Sequence, residues 1–275
     1  MRVIIFGSNG MLGNYLYSFL KYKSNMDIIS FSRKNLDICK TTKETLHNFL
    51  EPIVSKDDSV IINAAGVIKQ REKNIEEMIF VNSIFPHMLA NLSKNLNFKC
   101  IHITTDCVFA GDKGKYTEKS PHDCLDAYGK SKSLGENPNS CVIRTSIIGD
   151  ELYNKKSLLE WCVSMRGKEI NGYTNHFWNG VTCLELSSII KKIINKNFFW
   201  EGVRHIFSED VSKFELIQMI NFHYNLNLNI KKYETKYPCD RTLRTNYKKI
   251  INKSLEQQII EMKKFSKFLI NKKMF

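Results

Sequence analysis

Arg2-Val-Ile-Ile-Phe6 runs directly into Gly7-Ser8-Asn9-Gly10-Met11-Leu12-Gly13, and a helical pattern follows through Leu20. A short β-branched run, three spaced glycines and a helix make a strand–turn–helix unit. Glycines at this spacing permit a tight turn, a close backbone approach and close packing of helix on strand. The first N–H groups of the helix are then left facing an anion such as a pyrophosphate. The stretch predicts a nucleotide cofactor held by Gly7, Ser8, Asn9, Gly10, Met11, Leu12 and Gly13.

Four more apolar runs follow the first: Asp27–Phe31, Ser59–Asn63, Cys100–Thr104 and Cys141–Arg144, with helical stretches such as Pro86–Leu96 between them. Near-continuous apolar strands alternating with helices specify a parallel sheet covered on both faces. Right-handed crossovers make it an α/β doubly wound, Rossmann-type fold. After Arg144 the alternation becomes irregular. Helical patterns occur at Ser157–Met165, Leu184–Ile194 and Ser212–Tyr224, with a strand-like run at Val203–Phe207. The expected organisation is a dinucleotide-binding domain over 1–150 and a smaller α/β substrate-binding lobe over 151–275. Some lobe segments return to the first domain, and a basic amphipathic helix closes the chain.

The chain has 275 residues and a formal net charge of +13, with 43% hydrophobic and 25% charged residues. This is globular composition and excludes a disordered or fibrous chain. Residues 246–275 carry eight lysines and two glutamates, leaving +7 on the other 245 residues. Lysines 248, 249, 253, 263, 264, 267, 272 and 273 interleave with Leu255, Ile259, Ile260, Met262, Phe265 and Leu269, the pattern of a surface helix with a solvated lysine face. That reading is preferred over nucleic-acid or membrane contact. Eight scattered cysteines with no CxxC pair fit a reducing compartment rather than a disulfide framework or a zinc site. With no signal-peptide pattern and no run of about 18 apolar residues, a cytoplasmic location is expected.

The second strand ends in Phe31-Ser32-Arg33-Lys34 rather than in the acidic residue that holds a ribose 2′-hydroxyl. Cations there suit a 2′-phosphate, so NADPH is expected, with NADH possible, and Ser32 and Arg33 as contacts. The third strand ends in Asn63-Ala64-Ala65-Gly66, small residues against which a cofactor can lie. Tyr128 and Lys132, four apart, share one face of a helix. A phenol has an unperturbed pKa of about 10, and a neighbouring ammonium favours its ionised form. Such a pair can donate a proton to a carbonyl oxygen as hydride reaches its carbon. The fourth strand ends in Thr104-Thr105-Asp106-Cys107-Val108-Phe109, placing hydroxyls at the crevice where doubly wound sheets bind ligands.

Together these motifs resemble the dTDP-4-dehydrorhamnose reductase-like branch of the extended short-chain dehydrogenases. The GxxGxxG loop, the Asn63–Gly66 wall, the Thr104–Phe109 segment, the Tyr128/Lys132 pair and Arg144-Thr145-Ser146 match its motifs in chain order. Asp37-Ile38 resembles the pair beside the adenine. The motifs cover about 1–245. The resemblance implies NADPH-dependent reduction at C4 of a nucleotide-linked 4-keto-6-deoxy sugar. Thr105, Tyr128 and Lys132 are then catalytic: Thr105 bonds the carbonyl, Tyr128 protonates the alkoxide, and Lys132 holds the nicotinamide ribose and depresses the tyrosine. Thr104 and Arg144 join the cofactor contacts. The partner is a nucleotide diphosphate sugar, and the family often forms dimers.

The chain departs from the family where Ile147-Ile148 replaces an aromatic after the Arg-Thr-Ser motif. Trp178 either stacks on substrate or belongs to the core, and Arg241 either pairs with the diphosphate or is a surface residue. Cys107 and His176 resemble the cysteine base and histidine acid of GDP-fucose synthase, which leaves an epimerase-reductase open beside a plain pocket-lining role. A non-catalytic NADP-binding subunit is the remaining alternative. An NAD-recycling epimerase or dehydratase would need the missing acid after the second strand.

Overall fold

The computed structural model describes residues 1–54, 58–68, 74–153 and 155–271. Lys272 and Lys273 of the tail lie outside them. The strands are β1 (Arg2–Phe6), β2 (Asp27–Phe31), β3 (Ser59–Asn63), β4 (Lys99–Thr105), β5 (Cys141–Thr145), β6 (Ile147–Ile148), β7 (Glu169–Tyr173), β8 (His176–Trp178), β9 (Val181–Thr182), β10 (Gly202–His205), β11 (Val211–Ser212), β12 (Asn229–Tyr233) and β13 (Cys239–Asp240). The α-helices are α1 (Met11–Lys23), α2 (Lys43–Leu50), α3 (Ile75–Ile79), α4 (Phe85–Leu96), α5 (Ala127–Leu134), α6 (Leu158–Ser164), α7 (Cys183–Asn195), α8 (Lys213–Tyr224) and α9 (Leu255–Asn271).

Six strands form one parallel sheet in the order β10-β5-β4-β3-β1-β2. The five expected strands are all in it. The sixth, β10, is the strand-like run in the lobe, which returns to extend the sheet beside β5. The direction of winding reverses between β1 and β3, and the carboxyl ends of those strands open the crevice there.

Successive residues of a strand face opposite ways, and the core divides accordingly. Val3 and Ile5 of β1 join a cluster with Tyr15 and Leu16 of α1, Ile189 and Ile190 of α7, and Leu255, Ile259 and Met262 of α9. Ile4 and Phe6 face Leu46 and Leu50 of α2 and Phe85 and Leu89 of α4. Lobe and sheet thus share one core.

The tail helix is more than a surface helix. Leu255, Ile259 and Leu269 are fully buried, and Met262 and Phe265 nearly so. Lys253 is spent on Glu185 (2.6 Å) and Glu261 (2.7 Å). Inside the core, Asp150 accepts from Tyr15 of α1 and from Ser266 of α9, so the first and last helices share one carboxylate.

Local signals explain the helix starts in the lobe. Ser157, Thr182 and Ser212 each cap a helix by accepting a backbone N–H with the side-chain hydroxyl. At Ser212 the third residue of α8, Glu215, reciprocates in a capping box.

Candidate active site

The glycine loop folds as its spacing predicts. Gly7 has φ +81°, and its N–H donates to Phe31 O (3.0 Å), tying the end of β1 to the end of β2. A Cβ on Gly13 would stand 2.1 Å from Gly7 O, so only glycine lets α1 seat this closely on the turn. The capping residue Gly10 offers no side chain, and the first turn of α1 has no acid. Its N–H groups therefore suit a phosphate.

A cavity of about 440 Å³ opens beside this helix start, lined by Gly7, Asn9, Gly10, Ser32, Arg33, Asp37, Ile38, Ala64, Ala65 and Gly66 among others. Its size, small-residue wall and uncapped helix fit a dinucleotide. Other expected contacts shape the cavity from behind. Ser8 and Met11 are not on its lining, Leu12 is in the core, and Gly13 packs against the turn. Asn63 is wholly buried: its carbonyl accepts from Ala65 N (3.2 Å) and its amide donates to His102 Nδ1 (3.2 Å), which sets the wall's turn.

Arg33 reaches the cavity but is already paired. Its Nη2 lies 2.5 Å from Glu77 Oε1, and its Nε 3.6 Å from Asp37. Glu77, on α3, is a cavity residue that the sequence reading missed. The acid absent after β2 arrives from another element.

Two close contacts fix the catalytic helix α5. A Cβ on Gly129 would lie 2.3 Å from Cys107 O, so α5 rests directly on the turn Asp106–Val108. At its other end Gly135 lies against Asn82 O. Asn82 sits in a π-helical turn, Phe80–Ile84, between α3 and α4. Its amide donates to Ser131 Oγ (3.0 Å) and Val67 O (2.9 Å), and its carbonyl accepts from Val67 N (2.9 Å). π-turns often mark functional sites, and no sequence periodicity signals this one.

The result brings Thr105, Tyr128 and Lys132 together at the ends of β3 and β4. Thr105 Oγ1 donates to Asp106 Oδ1 (3.0 Å) and accepts from Cys107 N (3.1 Å), and Tyr128 stands beside it. Lys132 Nζ lies against Gly66. Burial lowers this ammonium to about 8. The expected depression of Tyr128 does not occur: burial, then the charges of Cys107 and Asp106, push its pKa up, against the opposing pull of the Thr105 hydroxyl. A phenol so placed stays protonated, which is the form that donates. Thr104 is buried in β4, its hydroxyl without a partner among the described residues.

Arg144 is not a cofactor contact. It is 1% exposed, and its guanidinium holds Glu136 through two bonds, His205 Nε2 (2.8 Å) and His122 Nε2 (2.6 Å), while stacking on Phe109. Both imidazoles accept from it, and burial keeps both neutral, His205 at about 4.

Trp178 is likewise core. Its N–H donates to Ser146 Oγ (2.8 Å), and Gly180 packs against its ring. Cys107 adjoins Asp106 (Sγ–Oδ1 3.6 Å) and is pushed up to about 12 by burial and that charge, so its thiol is a poor base. His176 bonds to Thr235 Oγ1 (2.9 Å) and Tyr237 O (3.1 Å), and no bond joins it to Cys107 among the described residues. Arg241 lies beside Cys107, with Nε donating to Phe109 O (2.9 Å) and Nη2 to Ala110 O (3.0 Å). Ile147 and Ile148 form β6 and pair with β9.

The family model described as RmlD substrate binding domain matches residues 1–269, which carries the likeness past 245 and through most of the tail helix. The dTDP-4-dehydrorhamnose reductase of Aggregatibacter actinomycetemcomitans is 30% identical over 216 residues, 74% of this chain and 71% of that protein. The spore coat polysaccharide biosynthesis protein SpsK of Bacillus subtilis is 31% identical over 157 residues, 53% of this chain and 52% of that protein. Among solved structures, a dTDP-4-dehydrorhamnose reductase of Clostridium acetobutylicum superposes with TM-score 0.81 at 22% identity, covering 97% of this chain and 100% of that one. The Bacillus anthracis dTDP-4-dehydrorhamnose reductase in complex with NADP gives 0.80 at 24% identity, covering 96% and 99%. Likeness at such identities establishes the fold.

Proposed function

The chain belongs to the RmlD substrate-binding family, and from that membership we propose that it is an NADPH-dependent reductase of the C4 keto group of a nucleotide-linked 4-keto-6-deoxy sugar. The observation that carries this is the meeting of Thr105, Tyr128 and Lys132 at the strand ends, beside a cavity with an uncapped helix start.

NADPH, when bound, supplies the hydride. The chain supplies the rest. The start of α1 and the Gly7–Gly10 turn would hold the pyrophosphate. Arg33 would meet the 2′-phosphate once Glu77 gives it up. Lys132 would hold the nicotinamide ribose. Thr105 would turn its hydroxyl from Asp106 to the carbonyl oxygen. Tyr128 donates its proton to the oxygen as negative charge develops there; an alkoxide is more basic than a phenolate, so even a raised phenol gives up its proton. The eight free cysteines fit a reducing cytosol.

The test is NADPH oxidation measured against dTDP-, UDP- and GDP-linked 4-keto-6-deoxy sugars, with products resolved by NMR. Turnover of at least one is expected; NADPH binding without turnover of any sugar would favour a regulatory subunit and overturn the reading.

A further inference from the structure

Helix α5 is anchored by hydrogen bonds rather than by an apolar face. Its buried residues are Gly129, Ser131 and Lys132, and its one leucine, Leu134, is 65% exposed. A helix in a protein is ordinarily held by an apolar stripe, and α5 lacks one. At its start Asp126 accepts from Gly129 N (2.7 Å). Midway, Ser131 O accepts from Ser83 Oγ (2.7 Å), beside the Asn82 contact. At its end His87 Nε2 donates to Leu134 O (2.7 Å), and His122 Nδ1 meets Ser133 Oγ at 2.5 Å. Ser133 directly follows Lys132, so this last bond acts next to the lysine that the reaction needs.

The two partners of His122 fix its protonation state. Nε2 lies 2.6 Å from Arg144 Nη2, and a guanidinium only donates. Nε2 is therefore the bare nitrogen, and the proton of the neutral ring sits on Nδ1 and goes to Ser133. Arg144 is a firm base for this link, since it is 1% exposed and tied to Glu136 and His205. Glu136 joins the chain to Arg144 beyond Gly135, whereas His122 joins the helix itself. Around the ring stand Arg144 of β5, Ser133 of α5, Glu136 at 3.6 Å, Asp123 of its own loop and the Phe109 ring. Burial and Arg144 hold the imidazole below the ordinary histidine range, against the pull of Glu136 and Asp123. A proton on Nε2 sets N–H against N–H, and Glu136 then draws the ring off Arg144 and off Ser133.

We propose that His122 is a positioning residue for the reduction: while neutral, it ties Arg144 to Ser133 and so sets where α5 holds Lys132. This rests on the reductase reading above.

The test compares His122→Gln, His122→Asn, Ser133→Ala and the H122Q/S133A pair. Glutamine puts an acceptor where Nε2 stands and loses Ser133; asparagine puts a donor where Nδ1 stands and keeps it. H122Q and S133A should each lose about ten- to a hundredfold in kcat, the scale of a small misplacement of a reacting group. The pair should lose no more than either alone, and H122N should recover most of the loss. Wild-type kcat should fall with acid through an inflection below about 6.5, which H122N should lack. NADPH affinity should be little changed throughout, which also reports folding. Hydrogen exchange of the α5 amides should quicken in H122Q and S133A. Unchanged kcat in H122Q, additive losses in the pair, or equal losses in H122N and H122Q overturn the positioning role and leave the reductase standing. A wild type that turns over no sugar overturns the reductase; exchange then decides the tie, which unchanged α5 rates in H122Q and S133A would remove.

Discussion

The glycine-loop cavity and the charged cluster around Thr105 adjoin at β3 and β4, yet they are made of different material. The cavity is backbone and small residues: the Gly7 turn, an uncapped helix start, and Ala64-Ala65-Gly66. The cluster is charge drawn out of water: Asp106 and Lys132, buried, with Lys213 and Arg241, half-buried, brought in from distant segments. On the proposed function the first would recognise a shape common to dinucleotides and need only correct local geometry, and the second would discriminate and react at desolvation costs that a stable core would avoid.

The largest test of this contrast is Tyr128→Phe, which removes one oxygen from the cluster and nothing from the cavity. Turnover should fall roughly 10²–10⁴-fold with NADPH affinity unchanged; near-normal turnover would return the acid's role to another group. Next is Arg144→Met, which leaves Glu136 buried without its partner. Urea unfolding should register a loss of about 3–5 kcal/mol, while the folded fraction binds NADPH as before. A selective loss of cofactor affinity would put Arg144 back in the cavity.

Lys132→Met asks what the cluster costs. The lysine falls from its ordinary 10.5 to about 8 on folding. The folded state thus holds fewer protons than the unfolded between those values, and burial penalises the charged form fully below about 8. Unfolding measured near pH 7 should show K132M more stable than wild type, by up to about 3 kcal/mol; the gain should shrink as pH rises above 8 and vanish above 10.5. A gain that ignores pH would mean the charge is not the cause.

Gly13→Ala attacks the cavity instead. With 2.1 Å to Gly7 O, the added methyl must push α1 off the turn. A stability loss of about 1–3 kcal/mol, with weaker NADPH binding and little change in turnover at saturation, is the expected result. The smallest effect is Glu77→Gln, which frees Arg33. The NADPH-to-NADH preference should rise several-fold; an unchanged ratio would remove Glu77 from cofactor choice.

Legibility in the sequence followed the same division. The glycine loop and five strands of the sheet could be read because each depends on neighbours within a few residues, whereas the trio Thr105, Tyr128 and Lys132 joins segments 23 residues apart and came from the family resemblance. The helical runs from Ser157 and Ser212 were visible from neighbours as close, though their caps appear only in the structure. What failed depends on distance along the chain. Arg144 lies in β5 at a motif position, but partners from 122, 136 and 205 turn it inward. Glu77 reaches Arg33 from 44 residues away. Lys213 and Trp178 meet through a strand pair of two residues each. The tail helix shows an amphipathic pattern, which gives its apolar stripe but not how deeply that stripe is buried.

The carboxylate shared by Tyr15 and Ser266 bears on how the molecule is made. Those hydroxyls are 251 residues apart. At a ribosome, the first strand and helix emerge long before the helix that covers them, and for most of synthesis one face of the sheet lacks its final cover. Contacts of such long range close late and slowly. The chain therefore completes its oldest-made layer last, and until then an apolar face of the sheet waits for its cover.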